Sequence, residues 1–311
     1  MALTIGGMRF LFTAVLNQNY DRDQVITGMH LLRERVPATV YRDPPQSTRP
    51  DDPARPRLEQ ILEAGALRVG YFPDSLPYAY FNREEELVGF DVEMAHILAE
   101  ELGLELEFVP MDRTRVSEQL QDAYCDILMS GYPVTTRRAA AMTYLEPYAH
   151  ETFAFLVRDH RRADFTTRES ILAQTQLRVA IPGFAYAREI SESLLPGNAE
   201  VRLVNDPADF FNEDMAGVDA LFMTAERGSA WSLLYPQFSV VVPQPDPIRI
   251  PIAYPVAHGD RALADFLTKW IALKKSDGTL DAFYDYWILG RNAEPKKPRW
   301  SIVRNVLGWV D

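Results

Sequence analysis

Along residues 67–287 short apolar runs alternate with amphipathic segments, and this alternation limits the possible folds more than any other feature of the chain. LRVGY at 67–71 is too short for a helix and reads as a buried strand. A short helix over 58–64, closed by Gly65, precedes it. Residues 91–102 place Val92, Ala95, Ile97, Leu98 and Leu102 at helical spacing, with Asp91 as N-cap and Gly103 as stop. Further strands are predicted at 105–110, 127–129, 152–157, 177–181, 200–204, 220–224 and 239–242. Helices are predicted at 116–122, 168–173, 185–194, 207–213, 262–275 and 280–287. Such alternation implies an α/β protein with parallel-rich sheets covered by helices on both faces.

The 311 residues include a single cysteine, Cys125, so no disulfide framework or Cys-rich metal cluster is available. Net charge is −12, and residues 57–290 alone hold 20 Lys/Arg against 36 Asp/Glu. A body this acidic repels phosphate backbones, so nucleic-acid binding is not expected, and any arginine kept in a cleft becomes conspicuous. No span reaches the apolar length of a membrane-crossing helix. The most apolar stretch, residues 2–16, is broken by Arg9 and lacks the basic start and cleavage site of a signal peptide. It reads as an amphipathic helix packing on the body or as the juxtamembrane end of a larger membrane protein. One helix is predicted over 23–35. Residues 42–57, with five prolines, read as an extended, semi-rigid spacer.

The usual catalytic signatures are missing: no phosphate loop, H-E-x-x-H, nucleophile elbow or dinucleotide fingerprint occurs. The five histidines are scattered, with no i, i+4 pair. Neither a metal nor a cofactor is expected.

Four segments in order, LRVGYFPDSLPYAY (67–80), LVGFDVE (87–93), CDILMSGYPVTTRR (125–138) and LEPY (145–148), resemble the bacterial extracellular solute-binding proteins of family 3, the polar amino-acid-binding group. Residues 275–287, with the pattern K-x-D-G-T-x-D-x-x-Y-x-x-W, resemble that family's closing helix. The resemblance implies a two-lobed clamp of the type 2 periplasmic-binding-protein kind. It places lobe 1 over 58–156 and lobe 2 over 157–250, while the N-terminal helical appendage over 1–41 and the spacer over 42–57 are read from the residues and lie outside what the family ordinarily has. Residues 251–290 would return to lobe 1, and a C-terminal tail over 291–311, carrying Trp300 and Trp309, would dock on the body.

The resemblance also implies a site. Arg138 and Thr135 match the pair that grips a ligand carboxylate, within a turn opened by Gly131, and a guanidinium suits that task because it offers two parallel hydrogen bonds. Tyr78 matches an aromatic wall of the cleft with Tyr80 beside it, although both also read as core aromatics. Asp91 needs no role beyond its cap. Two departures stand out. Thr224 occupies the position where an acid is expected to meet a ligand ammonium, with Glu226 two residues on, and Gly183-Phe184 replaces a small hydroxyl-bearing loop.

The expectation is a periplasmic or otherwise extracytoplasmic, non-enzymatic domain closing on an amino acid or organic acid. It would be tethered to, or part of, a membrane transporter or sensor. Two alternatives are a ligand-independent domain with a degenerate cleft and an enzyme on the same architecture. Cyclohexadienyl dehydratases resemble the family, and Glu226 or Glu146 would then serve as general acid or base on prephenate or arogenate.

Overall fold

The computed structural model describes residues 26–45, 52, 54–183 and 185–291. The expectations for residues 2–16, for residues 46–51 and 53 of the spacer and for the tail with Trp300 and Trp309 lie outside the described residues. In chain order the first part contains β1 (Ala38–Val40), α1 (Arg57–Ala64), β2 (Ala66–Tyr71), β3 (Asp74–Ser75), β4 (Ala79–Phe81), β5 (Leu87–Val88), α2 (Phe90–Leu102) and β6 (Glu105–Pro110). Next come α3 (Val116–Gln121), β7 (Ile127–Leu128), α4 (Thr136–Ala139) and β8 (Thr143–Tyr144). The second part contains β9 (Ala149–Arg158), α5 (Arg168–Leu172), β10 (Arg178–Pro182), α6 (Ala185–Leu194), β11 (Glu200–Val204), β12 (Ala220–Thr224), α7 (Ala225–Leu234) and β13 (Phe238–Val241). It is followed by β14 (Arg249–Ile252), β15 (Pro255–Val256), α8 (Arg261–Ser276) and α9 (Thr279–Phe283).

Two sheets organise two lobes. In the first the order is β1-β6-β2-β7, with every pair parallel. Leu67, Val69 and Tyr71 of β2 face one buried cluster, while Val109 and Leu128 face another together with Phe72 and Cys125. Burial on both faces explains why β2 reads as a continuous apolar run. In the second the order is β11-β10-β12-β9-β13, in which β9 runs antiparallel to β12 and β13. Val179, Ile181, Ala220 and Phe222 pack on one side and Ala180, Leu221 and Met223 on the other.

The chain passes between lobes twice. β9 pairs through residues 149–152 with β14 and through its later residues with β12 and β13. β14 then leads back to Tyr254 in the first lobe's core, where α8 and α9 also pack.

Local signals hold where the cause is local. Gly65 and Gly103 both end their helices in the left-handed region, at φ 67°. The predicted helix over 23–35 differs, because its described part is helical only at Ile26 and Thr27. The backbone N–H groups of Leu32 and Arg33, which a helix would direct to residues 28 and 29, instead donate to the buried Glu93 carboxylate at 2.9 and 2.8 Å. Residues 38–40 then add an edge strand to the first sheet, which the sequence reading did not foresee.

Candidate ligand-binding cleft

The cleft lies between the lobes, and most of its walls are built just beyond the carboxyl ends of parallel strands, where α/β sheets characteristically present ligand sites. Asp74 follows β2, Arg113 follows β6, and Gly131, Tyr132 and Pro133 follow β7. From the second lobe come Pro182 ending β10, Asn205 after β11, and Thr224 ending β12. Its volume is about 50 Å³.

Arg138 stands on α4. The helix starts there because Thr135 has extended dihedrals and its Oγ1 accepts the Arg138 backbone N–H at 3.3 Å. The Arg138 guanidinium lies 4.0 Å over the Tyr132 ring and donates through Nη1 to Pro133 O at 3.0 Å. Stacking fixes the plane of this planar, permanently charged fork at the cleft wall.

A second guanidinium is mounted in the same layer. Arg113 lies 4.0 Å over Phe72, whose ring is 6.1 Å from that of Tyr132. It is ion-paired with Asp74. Burial raises the Tyr132 hydroxyl above its ordinary pKa, and Arg138 and Arg113 both act against that shift.

Arg227, on α7, carries the third guanidinium and joins the lobes. It donates to Gly131 O at 2.6 Å and Ser75 Oγ at 3.3 Å in the first lobe, and to Glu151 Oε1 on β9 at 3.0 Å. It also lies 5.0 Å over Tyr78. Glu151 is only 1% exposed, and Arg227 is the cation that pairs with it. Arg227→Met is expected to cost about 3–5 kcal/mol of stability, because it strands a buried carboxylate. Denaturant unfolding would check this, and Glu151→Gln in the same chain should recover part of the loss. A change below about 1 kcal/mol would exclude the buried-pair account.

Behind Gly131 is a buried hub. Asp91 accepts hydrogen bonds from Gly131 N, from Tyr148 Oη at 3.0 Å and from Tyr254 Oη at 2.6 Å. It is not the N-cap that its position suggests. Gly89 takes that place at φ 134°, where a Cβ would sit 2.3 Å from Tyr78 O, so the helix begins at Phe90 and turns Asp91 inward.

The structure brings Arg138, Gly131 and Thr224 to the cleft wall. Thr224 Oγ1 is buried without a hydrogen-bond partner among the described residues, and so is Tyr78 Oη beneath Arg227. Thr135 serves as the cap of α4. Tyr80 is not at the cleft: its hydroxyl donates to Ile26 O at 2.8 Å and its ring packs on Trp287. Tyr78 precedes β4 and Tyr80 lies within it, so the two do not share a strand face. Gly183 is exposed and its N–H donates to Val204 O at 3.0 Å, while Phe184 lies outside the described residues. Glu226 turns from the wall to accept from Thr152 N at 2.9 Å, and burial pushes its carboxyl up to about 7. Glu146 is exposed.

Sequence reading missed Asp74, Arg113, Asn205 and Arg227. The available signal was position: a polar or basic residue just past a parallel strand end, or beside one in an acidic body. For cations, His30, Glu84 and Glu86 bring ligating atoms within 4.8 Å of one another. Arg35 already pairs with Glu86 at 2.8 Å, and its charge opposes a metal ion there.

The sequence model of the bacterial extracellular solute-binding proteins, family 3, matches residues 67–290. The chain belongs to that family. Among its relatives, the cyclohexadienyl dehydratase of Pseudomonas aeruginosa is 28% identical over 233 residues, covering 75% of this chain and 86% of that protein. The L-cystine-binding protein TcyJ of Escherichia coli (strain K12) is 22% identical over 74% of this chain and 85% of its own length. An ancestral amino acid-binding protein, described as a precursor of cyclohexadienyl dehydratase, superposes with a TM-score of 0.66 at 27% identity, covering 75% of this chain and 99% of that one.

The family member is thus a two-lobed solute-binding protein of an extracytoplasmic family. No helix among the described residues is long and apolar enough to cross a membrane. One expectation is corrected. The missing catalytic motifs point to a non-enzymatic domain, but a relative at 28% identity, covered over 86% of its length, is a cyclohexadienyl dehydratase. The missing motifs therefore do not exclude enzymatic activity.

Proposed function

We propose that the two lobes close on a small carboxylate-bearing solute, an amino acid or an organic acid, held in this cleft for transport or sensing. The observation that carries the reading is Arg138, clamped over Tyr132 at the cleft wall on a helix that Thr135 caps. Thr224 Oγ1 supplies from the opposite lobe a buried hydroxyl that has no hydrogen-bond partner among the described residues. A ligand touching both lobes meets all its contacts only when they are closed, so binding shifts the population toward closure. A membrane transporter or sensor, separate or in the same polypeptide, is the partner this reading implies. The test is titration calorimetry of the intact chain with amino acids and organic acids, read beside thermal shift. Saturable heat with a raised Tm is expected, and silence across the panel would sink the reading.

The dehydratase relative favours a second reading, in which the cleft also catalyses elimination from a cyclohexadienyl substrate. A departing hydroxyl needs a proton, and Glu226, two residues past Thr224 and pushed by burial up to about 7, is a carboxyl suited to keep one once it turns from Thr152 N toward the cleft. Incubation with prephenate and arogenate should then release aromatic product, slowed by Glu226→Gln. No product at high enzyme concentration rules the reading out.

A further inference from the structure

Among the described residues that line the cleft, three are arginines and only Asp74 is a carboxylate. That carboxylate is already engaged by Arg113, which is held in place by stacking 4.0 Å over Phe72. A cationic ligand entering the cleft would have to displace an internal guanidinium to reach Asp74. It would also meet the charges of Arg138 and Arg227, and Thr224 offers it a hydroxyl in place of a carboxylate. An anionic ligand instead meets two guanidiniums, Arg113 and Arg138, each held 4.0 Å over its own ring, and those rings are neighbours at 6.1 Å.

We propose that Arg113, by occupying Asp74, sets the charge selectivity of the cleft: it admits small ligands with two anionic groups and rejects cationic amino acids. The inference rests on the reading of the cleft as the solute site and adds the ligand class. One carboxylate is gripped by Arg138, and the second lies toward Arg113, whose guanidinium keeps the far side of its fork on Asp74. A fork can serve two carboxylates at once because its five N–H groups point along more than one edge.

The experiment is calorimetry of the intact chain with glutarate, L-glutamate, butyrate and L-arginine, repeated for Arg113→Gln, Arg113→Lys and the double variant Arg113→Gln/Asp74→Asn. The wild type should bind glutarate or L-glutamate at least tenfold more tightly than butyrate and show no binding of L-arginine. Arg113→Gln should lose tenfold or more on the dianions, change little on butyrate and gain L-arginine binding as Asp74 is released. The double variant should lose that gain, and Arg113→Lys, which keeps the charge, should keep the wild-type order. A wild type that prefers L-arginine overturns the inference and leaves the cleft as the solute site. Equal weakening of every ligand by Arg113→Gln also overturns it, since Arg113 would then be structural. Failure of the wild type to bind any ligand overturns both the inference and the reading beneath it. The wild-type ranking and Arg113→Lys decide the matter if Arg113→Gln fails to fold.

Discussion

Arg138→Ala is expected to weaken binding of the carboxylate ligand by about 2–4 kcal/mol, roughly 30- to 1,000-fold, because it removes a charge-assisted, two-pronged contact inside a closing cleft. The loss should fall on affinity and spare the fold. The cap of α4 uses the backbone N–H of Arg138, which alanine retains. Pro133 O loses one donor but keeps Tyr144 Oη at 3.2 Å. Unfolding stability should therefore change by less than about 1 kcal/mol, the ordinary size of one hydrogen bond. Arg138→Lys should recover only part of the affinity, since an ammonium keeps the charge but not the planar fork, and it loses the stacking on Tyr132. Calorimetry on the three proteins separates these contributions. Affinity unchanged in Arg138→Ala would show that the carboxylate is held elsewhere.

How much of this was legible in the sequence depended on how far each cause reaches along the chain. β2 announced itself because both of its faces are buried, and Gly65 and Gly103 because a helix stop needs only the next residue's backbone freedom. Thr135 and Arg138 lie three residues apart, so their shared turn was readable. β1 was not, because three exposed residues carry no period and the strand exists only through β6, 68 residues downstream at Ala38 and Leu106. Asp91 was misread for the same reason. A local rule explained it completely as a cap, while its actual partners Tyr148 and Tyr254 are 57 and 163 residues away. Neither Arg113 nor Arg227 has a role readable from its neighbours in sequence: Arg113 meets Asp74 and Phe72 only when the first lobe folds, and Arg227 meets Ser75 and Gly131 only when the lobes come together. The missing acid at Thr224 was visible, but its consequence was not, since that depends on whether Asp74 is engaged. Residues that set the fold were thus largely readable, and those that set ligand charge were not.

The second large effect is expected at Asp91, the hub that joins the Gly131 turn to both passages between the lobes. Asp91→Ala leaves Gly131 N–H and the hydroxyls of Tyr148 and Tyr254 without their acceptor, all of them buried. At about 1–3 kcal/mol for each unsatisfied group, less whatever the hydroxyls recover by rotating, the loss should reach about 3–6 kcal/mol. Asp91→Asn keeps an acceptor oxygen and the shape, and should cost far less. The pair also yields a pH signature. Burial pushes the Asp91 carboxyl up to about 7, against the pull of its three donors and of Arg227. The folded state therefore holds a proton that the unfolded chain releases near 4, so this contribution to stability is complete below about 4 and is lost as pH rises through about 7. Glu226 acts in the same sense. His96 acts in the opposite sense: burial lowers it to about 4, so its contribution is present above about 6.5 and is lost as pH falls toward 4. Asp91→Asn should remove one proton from this balance. Between about pH 4 and 7, plots of unfolding free energy against pH for the wild type and the variant should differ in slope by about 1.4 kcal/mol per pH unit, the variant falling less steeply. Parallel curves would mean that Asp91 is ionised throughout and that its three donors outweigh its burial.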